Sequence, residues 1–212
     1  MTFTLEYVPP RHVADHARRL AEFGIRLSLD AGPVLGGGLL TRAESGELPG
    51  KDVDLFFFRE EELAGAHAAL LHAGLQLLRH NPRSGTAVLG SDTGPAYDLV
   101  LLPGGTPQRV LAKNDIRACG LVSDGIRAFA LEGAIEDAEA HRIVLLRQTD
   151  PRRLQSYLQR GWRCPALDPR EIDIALRGEA IDGLTSHDLT DAQRYGHEPI
   201  PVRRQEGGRH AR

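Results

Sequence analysis

The segment Asp52-Val53-Asp54-Leu55-Phe56-Phe57-Phe58 reads as a buried strand that carries two acids, and it constrains the fold more than any other stretch of the chain. Successive side chains of an extended chain point to opposite faces, so Asp52 and Asp54 share one face while Val53 and Leu55 turn into the core. Two acids so placed repel unless a cation sits between them. Upstream, Val34-Leu35-Gly36-Gly37-Gly38-Leu39-Leu40-Thr41-Arg42 reads as a short strand, a glycine turn and the start of a helix. Without Cβ atoms, Gly37 and Gly38 let backbone N–H groups approach phosphate oxygens, and a helix beginning there adds its dipole.

A third acid lies in a similar setting. Ala96-Tyr97-Asp98-Leu99-Val100-Leu101-Leu102 reads as another buried strand with Asp98 among apolar neighbours. An isolated ionised carboxylate there is costly and needs a partner. Carboxylate oxygens suit Mg²⁺, with Mn²⁺ as its substitute, and such ions fill their remaining positions with water and substrate phosphate. Asp52, Asp54 and Asp98 are therefore the expected catalytic and metal-binding residues. Three carboxylates holding two ions can activate a hydroxyl and stabilise the leaving oxygen of an in-line phosphoryl displacement. Singly, Asp-x-Asp and Gly-Gly are common and usually structural; their order and strand context carry the functional reading.

With these residues in place, the chain resembles the head domain of the polymerase-beta-like nucleotidyltransferase superfamily, over about residues 30–162. It is most similar to the branch of tRNA nucleotidyltransferases and bacterial poly(A) polymerases, and to small stand-alone phage-type versions. Lys51-Asp52-Val53-Asp54 matches the strand motif, Leu111–Cys119 resembles a later motif with Asp115 in register, and Gly133-Ala134-Ile135-Glu136-Asp137 resembles the turn that follows. The resemblance implies nucleotide contacts from Gly37, Gly38, Thr41, Arg42 and Asp115. The departures are specific: Thr41 and Arg42 stand where the family has Arg-Asp, Asn114 replaces an arginine, and no Glu-Asp-x-x-Arg helix follows.

The activity implied is metal-dependent transfer of a nucleoside monophosphate from a nucleoside triphosphate to a hydroxyl of RNA, protein or a small molecule. A domain of the same fold without turnover, serving as a nucleotide sensor or protein-interaction module, is the alternative. Glycoside hydrolysis fits poorly, because two acids on one strand face are not opposed across a substrate bond.

The expected architecture is α+β, a mixed β-sheet flanked by helices and nucleotidyltransferase-like. Strands are expected at 33–36, 52–58, 75–80, 86–90, 97–102, 126–131 and 142–146, and helices at 11–28, 60–73, 107–112 and 150–161. An apolar segment at 116–122 and a turn or short helix at 133–139 lie between them. Asp150-Pro151 suits a helix start. With 212 residues and 41% apolar content, the chain can bury a core without disulfides. A net charge of −3 supplies no global field for polyanions, so any nucleic-acid contact is local. Cys119 and Cys164 form no C-x-x-C, and no apolar run is long enough for a membrane span, so a cytoplasmic protein without membrane contact is expected.

Two units follow from the pattern: a nucleotidyltransferase-like domain over 1–165 and a polar extension over 166–212. Beyond Trp162 the apolar periodicity fades and prolines appear, so 166–202 reads as weakly structured and 203–212 as disordered. His187, His197 and His210 match no metal-binding spacing. Arg152, Arg153, Arg160 and Arg163 on the last helix form either a phosphate- or RNA-binding face or a solvated one. Asp115 is open between a turn-capping acid and support for a nucleotide pocket. Phe56, Phe57 and Phe58 read as core.

Overall fold

The computed structural model describes residues 4–47, 52–81 and 85–185. Eight strands form one mixed sheet: β1 (Thr4–Tyr7), β2 (Val34–Gly36), β3 (Asp52–Phe57), β4 (Gln76–Asn81), β5 (Thr86–Gly90), β6 (Ala96–Leu101), β7 (Leu121–Ser123) and β8 (Ala128–Leu131). Their order across the sheet is β1-β8-β7-β2-β3-β6-β5-β4. β3 and β6 run parallel, and the other pairs are antiparallel. Seven α-helices accompany the described strands: α1 (Arg11–Glu22), α2 (Gly38–Ser45), α3 (Glu60–His72), α4 (Pro107–Lys113), α5 (Ala134–Glu139), α6 (Pro151–Gln159) and α7 (Pro169–Leu176). The α+β architecture is the expected one.

The alternation in β3 and β6 decides which face is core. Val53, Leu55, Phe57, Tyr97 and Leu99 are buried, as are Ala87 and Leu89 of β5. This face joins Ala66 and Leu70 of α3 and Val13 and Leu20 of α1 in one apolar cluster. Phe57 and Phe58 are core residues, whereas Phe56 lies on the acid-bearing face, where its ring packs on Gly36. Helix ends follow local chemistry. Gly74 stops α3 at φ +88°. Asp150 accepts from the Arg152 N–H at the start of α6, with Pro151 in its first turn.

A second apolar cluster runs across the expected boundary at 165. Ile116, Cys119, Leu154, Tyr157 and Trp162 pack with Leu167, Ala175, Ile181 and Leu184. The helix α7 begins with a reciprocal cap between Asp168 and Glu171. Residues 166–185 thus complete a core rather than trail from one; the sequence hides this because only a few apolar side chains in a proline-broken segment do the packing. Residues 186–212, including the three histidines and the tail at 203–212, lie outside the described residues, as does Lys51.

Other departures are local. The strand β1 was not expected, and the expected strand at 142–146 is reduced to isolated bridges, Arg142 with Arg163 and Ile116 with Leu145. The helix expected over 11–28 ends at Glu22, where Gly24 takes φ +81°. Cys119 and Cys164 are both free and buried. Among the described residues, no helix is long and apolar enough to cross a membrane.

Candidate functional site

Parallel pairing of β3 with β6 sets Asp54 directly opposite Asp98, and β2 sets Gly36 opposite Asp54 on the other side. Paired residues share a face, so the two acids stand side by side on the face turned away from the main core. Asp52 lies two residues earlier on the same face and is exposed. Burial raises the Asp54 carboxyl above the ordinary aspartate range, and the charge of Asp52 adds to it. Burial, then the neighbouring Asp54, push Asp98 up to about 6. One Asp98 oxygen, Oδ1, is buried without a hydrogen-bond partner. A buried orphan oxygen beside a second acid is a place where a cation gains energy.

The glycine turn completes this side. Gly37 takes φ +64°, and a Cβ there would stand 2.2 Å from Asp54 Oδ2. Glycine is therefore required at 37 by the acid itself. Gly38 starts α2, donates its N–H to Asp54 Oδ2 at 3.3 Å, and faces open space where a Cβ would be. The opening of α2 thus points at the acid pair, where its dipole favours anions.

Asp115 is a hub rather than a simple cap. Its carboxylate accepts from the Ile116 N–H at 3.0 Å and from the Thr149 hydroxyl, and lies 3.5 Å from Arg153 Nε. The positive charge of Arg153 also lowers the Asp54 carboxyl against its burial. Arg153, in the first turn of α6, therefore pairs with the hub and adds its charge to the field at Asp54, and the sequence placed it only within a general basic face. That face does not form. Arg160 binds Glu47 at 2.6 Å and lies over the Tyr157 ring, and Arg152 and Arg163 are exposed. Glu47 also accepts from the Trp162 indole, tying the end of α2 to the turn after α6. Neither Thr149 nor Glu47 carried a sequence signal; for Arg153 the available hint was the acid Asp115, which is half-buried in the fold.

Two further expected nucleotide contacts, Thr41 and Arg42, lie within α2. Thr41 is buried, and its hydroxyl lies 3.1 Å from the carbonyls of both Gly37 and Ala118, so it braces the turn from inside. Arg42 lies in the last turn of α2, at the end opposite Gly38. It stands one turn beyond Gly38 on the same side of the helix. Among the described residues, no group of three or more His, Cys, Asp or Glu side chains is gathered to hold a metal ion. Asp54 and Asp98 alone form the close pair, and two carboxylates match what Mg²⁺ asks of a protein. A cavity of about 560 Å³ between α6 and α7, lined by Leu158, Trp162, Arg163 and Ile172 among others, contains none of these acids.

Solved structures share this fold. The CCA-adding enzyme of Thermotoga maritima in complex with tRNA is similar at TM-score 0.58 and 18% identity, over 84% of this chain and 46% of that one. A CCA-adding enzyme with CTP matches at TM-score 0.57 and 16% identity, over 84% and 46%. A tRNA nucleotidyltransferase with a primer tRNA and an incoming ATP analogue matches at 0.51 and 14%, over 78% and 49%. The chain has the nucleotidyltransferase fold and spans about half the length of these structures. No protein-family model matches the sequence, and the comparison with curated proteins finds no match.

Proposed function

We propose that this protein is a metal-dependent nucleotidyltransferase that moves a nucleoside monophosphate from a nucleoside triphosphate to a hydroxyl acceptor. The observation that carries the reading is the register of Asp54 against Asp98, with one buried, unpartnered oxygen on Asp98 and the start of α2 aimed at Asp54. The fold neighbours include complexes with CTP and with tRNA, which supports a nucleoside triphosphate as donor and RNA as one candidate acceptor.

In this reading Asp54 and Asp98 hold the cation, with Asp52 joining them from the exposed start of β3. Mg²⁺, or Mn²⁺, would supply charge neutralisation for the triphosphate and lower the pKa of the attacking hydroxyl. The Gly38 N–H and the opening of α2 favour the phosphates, and Arg153, held by Asp115, which Thr149 orients, adds positive charge where negative charge develops. Asp98 takes the proton of the acceptor hydroxyl as that oxygen bonds to the α-phosphorus, and the bond to pyrophosphate breaks. Gly37 contributes room, and Thr41 rigidity, rather than direct contacts.

Incubating the protein with each α-labelled nucleoside triphosphate, Mg²⁺ or Mn²⁺, and total RNA or protein tests the proposal. Label should move to one class of acceptor and should fail to move with Asp54→Asn. Nucleotide binding without transfer in any mixture would instead identify a nucleotide-sensing module of the same fold.

A further inference from the structure

The edge strand β4 contains one residue too many. Leu77 pairs with Leu89 of β5, yet the next pair joins Arg79 to Val88, so Leu78 is inserted as a β-bulge. With a regular register, residue 78 would face Val88 and Arg79 would face Ala87, whose side chain is buried in the core. The bulge instead places Arg79 opposite Val88, which itself lies opposite Asp98. One inserted residue exchanges the faces of all that follow. Arg79, Val88, Asp98, Asp54 and Gly36 therefore form a single row across five strands. The Arg79 guanidinium reaches over Val88 to within 3.7 Å of Asp98 Oδ2. Gly90 accommodates the insertion, because a Cβ there would stand 2.9 Å from Leu78 Cδ1.

We propose that Arg79 is a built-in counter-cation of the acid pair, aimed by the Leu78 bulge at Asp98, and that it gives up this carboxylate when a divalent cation binds. The inference rests on the nucleotidyltransferase reading and adds regulation to it. While the site lacks a cation, Arg79 offsets part of the repulsion between Asp54 and Asp98. A free divalent ion must displace it, whereas an ion arriving with a triphosphate brings negative charge that compensates the guanidinium. Arg79 thus biases the site toward the metal–nucleotide complex over the bare metal. It is a positioning residue: it acts through Asp98.

The test is Mn²⁺ binding, read from the electron paramagnetic resonance of the free ion, to the full chain and its Arg79→Ala, Arg79→Lys, Asp98→Asn and doubly substituted Arg79→Ala/Asp98→Asn variants. Arg79→Ala should bind bare Mn²⁺ about two- to fivefold more tightly than the parent, the scale of an exposed ion pair. Arg79→Lys should stay close to the parent, and the two variants lacking the Asp98 charge should bind alike. With a non-hydrolysable nucleoside triphosphate present, the advantage of Arg79→Ala should shrink. Equal or weaker Mn²⁺ binding by Arg79→Ala overturns the proposal and leaves the transferase reading intact. A parent that binds no Mn²⁺ even with the nucleotide overturns both; a denaturation cycle on the same variants would then identify Arg79 as a static partner of Asp98.

Discussion

Asp54 and Asp98 occupy directly opposed positions on the parallel strands β3 and β6; burial makes each costly to ionise, and the charge of Asp54 adds to that cost at Asp98. The pair is electrostatically unfavourable in the protein alone, and that disadvantage is what a bound cation would relieve.

Stability of the metal-free protein should therefore fall as pH rises. Asp98 titrates near 6 in the fold and near about 3.9 in an unfolded chain. Between these values the native state holds a proton that the unfolded state has released, so the contribution of Asp98 to stability is greatest below about pH 4 and is lost as pH rises through about 6. Asp98→Asn removes the penalty. In the presence of chelator, urea denaturation at pH 7.5 should find Asp98→Asn more stable than the parent by about 1–3 kcal/mol, with the difference closing near pH 4. An unchanged or lower stability at pH 7.5 would show that the ionised carboxylate is structurally satisfied.

The two turn glycines should behave differently. A methyl at 37 meets Asp54 and must also adopt a positive φ, whereas a methyl at 38 meets open space. Gly37→Ala should cost about 1–3 kcal/mol. Gly38→Ala should keep the parental circular dichroism and thermal midpoint while weakening nucleotide binding, because its methyl lies where a phosphate would approach. Calorimetric titration with a nucleoside triphosphate and Mg²⁺ reads the second effect; unaltered affinity would confine Gly38 to a role in the turn.

Removing Arg153 should damage turnover more than folding. Asp115 retains the Ile116 N–H and the Thr149 hydroxyl after the change. Arg153→Met should lower kcat/KM for nucleotide transfer by about 10²–10³-fold, the usual scale for one electrostatic stabiliser of a transition state, with a small shift in melting temperature. Parental kinetics would restrict Arg153 to its structural pairing.

Asp137 should be a stability residue. It is fully buried, with Arg117 Nε at 2.5 Å and Arg142 bonded to its other oxygen. Asp137→Ala should destabilise the protein by about 3–5 kcal/mol, as expected when one member of a buried charge network is removed. Chemical denaturation measures this directly. A loss under about 1 kcal/mol would mean that the two arginines are satisfied by solvent.

Cutting the chain after residue 165 should expose the second core. Trp162 is the single tryptophan and packs in the cluster that Leu167, Ala175, Ile181 and Leu184 complete. The truncated chain should show red-shifted tryptophan emission and a lower melting temperature, whereas a parental emission maximum would restore the domain boundary at 165.

Much of the sheet was legible because alternation and glycine punctuation act locally. β2, β3, β5, β6, α3, α4 and α6 fall where the pattern places them, and the alternation of Asp52, Val53, Asp54 and Leu55 fixes which side of β3 is acidic. The shared face of Asp54 and Asp98 needed one further fact, that β3 and β6 are neighbours in the same register, and periodicity within a strand says nothing about its neighbour. Thr41 shows the same limit: its place beside the glycine turn says nothing of its burial, which the packing of α2 against Ala118 decides. The Leu78 bulge turned Arg79 to the acid face by inserting one residue, which leaves no trace in composition. Arg153 meets Asp115 because the bond from Thr149 to Asp115, groups far apart in the chain, ties the start of its helix there. The sequence determined which chemical groups exist and which side of their own strand or helix they occupy; the tertiary structure decided which of them meet, because strand register and helix docking are set by packing summed over the whole core.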